Sequence, residues 1–393
     1  MKGFKRICAV LLGTVFFISG VLKLMDSVGT SLIVEEYFKF FHVGFLRFAS
    51  NFTGTALSLV ESIMGAALIT GVFRKFTALF CLVVTGFFTI LTAILMVFNP
   101  AMDCGCFGEA VHLTHLQSFL KNIALLLLWV IAFMPFGKLE EPQKVKYASF
   151  GIAVVSIGLF TLYSQLSLPL VDFTSLKPGT ELYGSVESAF EDVTAYVYEK
   201  DGREGAFTRD CPPDSSWHFV RTESYSNTIL GDDTPQEILS FYSATGDYAD
   251  SLALGKHVLA VSAYEPQKLS EDRLAGISRV LSAAAEKGFT VLFLSAGTPE
   301  TISEITSDPT LVANSYFADY RTLQTLNRSN GGAAFISGGQ ITSKWSARAL
   351  PDNEELDKIL SSDPVEYFMK SSGKGKVRLQ AFLLYTFAVM LLI

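Results

Sequence analysis

Residues 77–98 read TALFCLVVTGFFTILTAILMVF, 22 positions without a charged side chain. As a helix rising about 1.5 Å per residue, this run is about 33 Å long, enough to cross the roughly 30 Å hydrocarbon core of a bilayer. Four other apolar runs are as long or nearly so: Ile7 to Met25, Ala56 to Phe73, Leu116 to Phe136 and Ala148 to Leu166. All five lie before residue 168. Half of the 393 residues are hydrophobic and Phe alone numbers 33, with a mean hydropathy of +0.36, which excludes an ordinary soluble protein. The chain reads as a multi-pass membrane protein whose first partner is the lipid bilayer.

Charge then divides it. Residues 1–168 carry 12 Lys+Arg against 8 Asp+Glu, whereas residues 169–393 carry 19 against 30. A boundary between a membrane part and an acidic domain is expected near Ser167-Leu168-Pro169-Leu170. Lys2, Lys5 and Arg6, then Arg74 and Lys75, then Lys138, Lys144 and Lys146 occupy alternate loops, while Asn99 to His115 holds no Lys or Arg. The positive-inside rule places the N-terminus in the cytoplasm, the chain in the inner (cytoplasmic) membrane, and the Asn99–His115 loop and large domain in the periplasm. The basic start and apolar core suit a signal peptide, but Lys23-Leu24-Met25-Asp26 stands where a small-x-small cleavage site would, so retention is expected.

In that loop, Asp103-Cys104-Gly105-Cys106-Phe107-Gly108 sets two of the five cysteines one residue apart. A disulfide needs Cα atoms about 4.4–6.8 Å apart, and an extended i to i+2 pair lies near or beyond that limit. Only a turn closes the ring, and Gly105 supplies the freedom for it. So small a ring would be strained and easily reduced, which suits a redox switch better than a staple. The plainer alternative is two free thiols in a tight loop. His112 and His115 extend the pattern to C-x-C-x5-H-x2-H, so Cys104, Cys106, His112 and His115 form a conceivable metal set, but the spacing matches no standard zinc motif. The histidines read rather as interfacial residues leading into the fourth span.

Ionisable residues inside membrane helices are costly. Lys23 near the end of the first span, Glu61 in the second, and Lys121 with Asn122 at the start of the fourth fall at the depth of the Cys loop. In a four-helix bundle Lys23, Asp26, Glu61, Asp103, Lys121 and Asn122 would ring Cys104 and Cys106. A nearby ammonium favours the reactive thiolate, although either lysine alone could simply snorkel. A carboxylate so deep in a helix needs a partner, so Glu61 is expected to pair with Lys23, and Leu125 to face lipid. The candidate catalytic set is Cys104, Cys106, Asp103, Lys23 and Glu61.

Phe16-x-x-x-Gly20-x-x-Lys23-Leu24-x-Asp26, Glu61-x-x-x-Gly65, the Cys loop and Lys121-Asn122 resemble the DoxX/MauE group of membrane proteins over residues 1–146. The resemblance implies a four-helix membrane bundle engaged in thiol or quinone redox work. Its MauE branch is linked to methylamine utilisation, where it is thought to assist disulfide formation in a dehydrogenase subunit. Quinone is the cofactor this implies, and an exported protein the partner.

Beyond residue 168, Val193 to Tyr198 and Ser216 to Thr222 read as strands, with Asp201-Gly202 a hairpin turn. After Asp232-Asp233-Thr234-Pro235 the pattern becomes strand Lys256–Ala263, helix Asp272–Lys287, strand Phe289–Ser295, helix Pro299–Thr306, a helix around Tyr320–Asn327, a hairpin Ala333–Ser337 and Gln340–Trp345 about Gly338-Gly339, and helix Asp352–Ser361. That order resembles a thioredoxin-like α/β fold, but Tyr264-Glu265-Pro266-Gln267 stands where its C-x-x-C would be, and Gly331-Gly332 replaces the proline expected before the hairpin. This domain then binds a partner rather than exchanging thiols itself, with Cys211 either inert or a partner for the Cys loop. Leu379 to Ile393, about 22 Å as a helix, is too short to span comfortably and reads as an interfacial or tilted anchor.

The expected organisation is a four-helix bundle (1–146), a fifth helix (147–168), a strand-rich part (169–250), a thioredoxin-like domain lacking C-x-x-C (251–372) and an apolar segment (373–393). The whole resembles fused membrane proteins of Bacteroidota. No phosphate loop, dinucleotide fingerprint or Ser-His-Asp constellation is visible, and the acidic domain argues against nucleic acid. Two functions remain: a membrane thiol:disulfide redox protein, or a non-enzymatic scaffold that anchors a binding domain.

Overall fold

The computed structural model describes residues 2–100, 102–136, 142–182, 193–200, 203–207, 216–225 and 239–392. Cys211, the Asp201-Gly202 turn, Lys138 and Asp232 to Pro235 lie outside them.

Helices α1 (Lys2–Met25), α2 (Ser27–Phe40), α3 (Ser50–Thr70), α4 (Arg74–Phe98), α5 (His115–Phe133) and α6 (Lys144–Leu166) form the first part. All except α2 are long and apolar enough to cross a membrane. Their ends follow local signals rather than the limits of the apolar runs. A capping box between Thr114 and Gln117 starts α5, and Gly71, in the left-handed region, ends α3 at Thr70, three residues short of Phe73. Arg6 donates to the Leu68 carbonyl at 3.1 Å, and Lys5 donates to the Met134 carbonyl, so these cations gather at the end of the bundle away from the Cys loop.

Helices α1 and α3 are pressed together at small residues, as membrane helices lacking a hydrophobic drive to associate require. A Cβ on Gly20 would lie 2.6 Å from the Ser62 nitrogen, and one on Gly65 2.7 Å from the Gly13 carbonyl oxygen. We expect Gly65→Val to force α1 and α3 apart and to cost roughly 1–3 kcal/mol as overpacking does. Thermal unfolding of the purified protein in detergent, compared with Gly86→Val, whose Cβ meets nothing within 4 Å, checks this; equal midpoints would refute it.

The C-terminal segment, expected as an interfacial or tilted sixth helix, extends further than its apolar run. It is the end of a continuous 29-residue helix, Pro364–Leu392, about 43 Å long. Phe382 stacks on Phe160 of α6 at 4.4 Å, Phe387 meets Phe17 edge-on, and the Lys146 ammonium at the start of α6 reaches the Leu391 carbonyl at 3.2 Å. In its middle Gly375 abuts Leu170, just past α6. From there to its end the helix therefore runs antiparallel to α6, while Tyr367 in its first turns packs on Phe335 of the sheet unit. Counting only the apolar run missed the polar turns at Lys370 to Arg378 that complete it.

Between these two helices lie two sheets. Strands β2 (Val193–Lys200), β3 (Arg203–Phe207) and β4 (His218–Tyr225) form an antiparallel sheet ordered β3-β2-β4; β1 is the short extended segment Cys106–Glu109. The second sheet has five strands ordered β7-β6-β5-β8-β9, from β5 (Val258–Ala263), β6 (Thr290–Ser295), β7 (Ser315–Phe317), β8 (Gly332–Ser337) and β9 (Gln340–Trp345). β5, β6 and β7 are mutually parallel, and β8 and β9 antiparallel to their neighbours. One face packs Val261, Phe293 and Phe335 against α7 (Glu271–Glu286) and α11 (Asn353–Ser361), and the other packs Leu292 and Ile336 against α10 (Tyr320–Leu326) and Phe241. Cover on both faces explains the unbroken apolar run of β5. Short helices α8 (Pro299–Ile305) and α9 (Pro309–Ala313) complete the unit, which makes Pro364–Leu392 α12.

Candidate functional site

Helices α1, α3, α4 and α5 deliver their polar residues to one depth, where the Cys loop closes over the bundle. Gly105 has φ +64°, and a Cβ there would press on Ile33 of α2 at 2.5 Å, so the turn requires glycine. That turn sets the Cys104 and Cys106 sulfurs 3.1 Å apart as free thiols, about 1 Å beyond a disulfide bond. Tyr37 of α2 donates its hydroxyl to the Cys104 carbonyl at 2.8 Å. The Ser19 hydroxyl lies 2.6 Å from the Cys106 carbonyl and 2.9 Å from Glu61 Oε2.

Beneath the loop, Lys23 Nζ donates to both Glu61 oxygens at 2.7 and 2.8 Å, with both side chains buried. This is the pair expected from the depth of the two residues in their spans. Asn122 donates to the Phe88 carbonyl and to Thr92, tying α5 to α4, and the Lys121 ammonium lies 5.2 Å from the Phe107 ring centre.

The expected ring is only partly assembled. Lys23, Glu61, Lys121 and Asn122 line one cavity with both cysteines. Asp103 instead meets His112 at 2.9 Å, both more than half exposed, and Asp26 turns to Arg328 at 3.1 Å. Leu125, expected to face lipid, is buried and lines the cavity. His115 donates from Nε2 to the Pro100 carbonyl, 3.0 Å away, and among the described residues no three His, Cys, Asp or Glu side chains group to hold a metal. The set Cys104, Cys106, His112 and His115 therefore does not converge.

Sequence reading also missed α2. Its Asp26 N-cap accepts from Gly29 at 2.9 Å, a start signal that was present. Tyr37 had no such signal, whereas Ser19 stands four residues before Lys23 on the same helical face.

The two thiols are electrically unlike. The hydrogen bond from Cys104 holds the Cys106 thiol down at about 5, against the effect of burial and with help from the Lys121 and Lys23 ammonium groups. The same contact, with burial, pushes Cys104 far up. Cys106 is thus a thiolate at neutral pH and Cys104 a thiol, an arrangement fit for dithiol exchange. Because the Cys106 thiolate persists until the pH approaches 5, its alkylation by iodoacetamide should stay nearly constant from pH 8 to 6. An ordinary thiol slows about tenfold per unit below its pKa of roughly 8.5, and that behaviour at Cys106 would contradict the assignment. Lys121→Gln removes a nearby cation and should move the profile upward.

The cavity opening on the two sulfurs has a volume of about 690 Å³ and is overwhelmingly apolar, walled by Phe16, Tyr37, Phe38, Phe87, Phe88 and Leu125. Across the loop, buried Arg328 joins Asp26 to Glu109 (3.1 and 3.2 Å), fastening the five-stranded unit to the Cys loop; Arg321 meets Glu36 of α2 at 2.8 Å.

Site and fold together define a multi-pass membrane protein with a dithiol at one mouth of its helical part. Residues 1–135 match the family model described as "Methylamine utilisation protein MauE", and residues 193–225 one described as "Domain of unknown function (DUF8463)". Protein TlpB of Flavobacterium psychrophilum is 24% identical over 170 residues, covering 42% of this chain and 46% of that protein. The chain thus spans less than half the length of this curated relative. No solved structure matches.

Proposed function

We propose that the protein is a membrane thiol:disulfide oxidant for an exported partner, with a quinone as its electron acceptor. The observation that carries this reading is the 3.1 Å Cys104–Cys106 contact at the edge of the apolar cavity. In the first half-reaction the Cys104 thiol and the Cys106 thiolate form a disulfide, and the two electrons and one proton they release, with a second proton taken from water, reduce the quinone to quinol. A partner thiolate then attacks the disulfide to give a mixed disulfide on Cys106. The partner's second thiolate displaces Cys106, so the partner leaves oxidised and the dithiol is restored. Cavities of this volume suit a small aromatic ring, and Lys23 and Lys121, which line it, would supply positive charge to a reduced quinone. The match of residues 1–135 to the MauE model agrees with the thiol or quinone redox work that the resemblance implies.

In this reading the Cys loop and the C-terminal α/β unit are periplasmic, and that unit is a thioredoxin-like domain without its dithiol. Tyr264 to Gln267 follows β5, the strand after which a thioredoxin carries C-x-x-C. A unit that has lost this chemistry and is fastened to the Cys loop by Arg328 serves to present the partner.

Orientation and chemistry are tested together. A membrane-impermeant maleimide added to intact cells is expected to label reduced Cys106, and withholding quinone is expected to increase the labelled fraction. Protection of Cys106 in intact cells but not in inverted vesicles would reverse the orientation. A labelled fraction indifferent to quinone supply would favour the scaffold reading.

A further inference from the structure

A second cavity lies between the helical part and the five-stranded unit, separate from the one at the dithiol. It has a volume of about 330 Å³ and a mostly polar wall. Lys268, Arg273, Arg328 and Arg348 line it from the sheet unit, and Asp26 is the one carboxylate among its lining residues. Four cations together are notable in a part of the chain that is otherwise strongly acidic.

The partners of these cations decide what the cavity would accept. Arg328 is neutralised by Asp26 and Glu109, and Lys268 by Glu265 at 2.6 Å. Arg273 donates to the Ala347 carbonyl, and Arg348 is exposed. Neither has a carboxylate partner among the described residues. The backbone does not supply a compensating negative field: α1 and α6 end at the cavity, at Met25 and Leu166, but α2 and α3 begin there, at Ser27 and Asn51, so the helix dipoles largely cancel. Two unneutralised guanidinium groups facing a polar cavity match the paired oxygens of a phosphate group.

Position narrows the source. The floor is built from the ends of membrane-spanning helices, from Ser164 to Ser167 of α6 and from Asn51 of α3. The cavity therefore lies at the level of lipid headgroups. We propose that it binds a phosphate-bearing anion, and specifically the headgroup of an anionic phospholipid such as phosphatidylglycerol, which would brace the five-stranded unit against the bilayer.

The test titrates the purified full-length protein in detergent with dioctanoyl phosphatidylglycerol and follows the unfolding temperature. A saturable rise is expected, absent with dioctanoyl phosphatidylcholine. Arg273→Gln/Arg348→Gln should need about 30-fold more lipid for the same rise, at the per-cation contribution typical of basic lipid sites. Arg348→Gln alone, at an exposed position, should give roughly 5-fold on the same basis and serves if the double variant fails to fold. A rise of equal size with inorganic phosphate would keep the anion site and assign it to free phosphate instead of lipid. No rise with either compound, or an unchanged titration in both variants, would overturn the proposal.

Discussion

Cys104→Ser and Cys106→Ser should each bring partner oxidation down to the uncatalysed rate, because exchange needs one sulfur to form the mixed disulfide and the other to resolve it. The two variants should nonetheless differ. With Cys104 removed, Cys106 retains its neighbouring Lys121 and Lys23 ammonium groups but loses the hydrogen bond that is the main cause of its low pKa, so its alkylation profile should move upward. It should still capture an oxidised partner and hold it, giving an adduct on a non-reducing gel that reductant abolishes. With Cys106 removed, Cys104 loses the contact that is the main cause of its raised pKa but remains buried, so it should give less adduct than Cys106 does. Cys211→Ser should be near neutral if that thiol is incidental. Full activity in the Cys104→Ser/Cys106→Ser double variant, with normal insertion, would end the redox proposal and leave the α/β unit as the functional part.

The second large effect concerns Glu61. Removing one member of a buried ion pair leaves the other charge uncompensated, at about 3–5 kcal/mol. Glu61→Gln, which strands the Lys23 ammonium, should therefore sharply lower the unfolding temperature and the amount of protein in the membrane. Leu127→Ala, at a side chain 60% exposed on the outside of α5, should do neither. Replacing both members, as in Lys23→Met/Glu61→Leu, should recover much of the stability, since apolar substitutes for a whole buried pair are often tolerated. The recovered protein should still oxidise its partner poorly, because Lys23 no longer assists the Cys106 thiolate and Glu61 no longer holds Ser19 under the loop. A double variant as unstable as Glu61→Gln would show that the pair matters through packing rather than charge.

What the sequence disclosed and what it hid follow physical lines. Runs without charge over about 20 residues have few alternatives to a membrane helix, so the five spans were legible, as was the unbroken β5 run. The Lys23–Glu61 pair was legible because hydrocarbon leaves a lone charge few options. Helix α2 was not, because Glu35, Glu36 and Lys39 interrupt its apolar positions; Glu35 is satisfied by Lys39 and Arg47 at 2.9 and 3.0 Å. Asp26 was misplaced for a similar reason. Its partner Arg328 stands 302 residues away, and no local pattern encodes such a pairing. Leu125 was assigned to lipid because helix periodicity gives the faces of a span but not which of them meets a cavity.

One consequence remains in how the α/β unit is moored. It leaves the bundle after α6 and returns through α12, and those two helices lie side by side. The unit is thus a large insertion between adjacent antiparallel helices, with both moorings on one flank of the bundle. A body held on a single stalk sweeps a broad volume, whereas one held at two neighbouring points keeps essentially one hinge line, about which it rocks. Close to that hinge, in the cavity that the end of α6 also lines, Arg328 grips Asp26 and Glu109 beside the Cys loop. Rocking open would expose the dithiol while keeping the unit within reach to close again, at an effective concentration set by the hinge and not by diffusion.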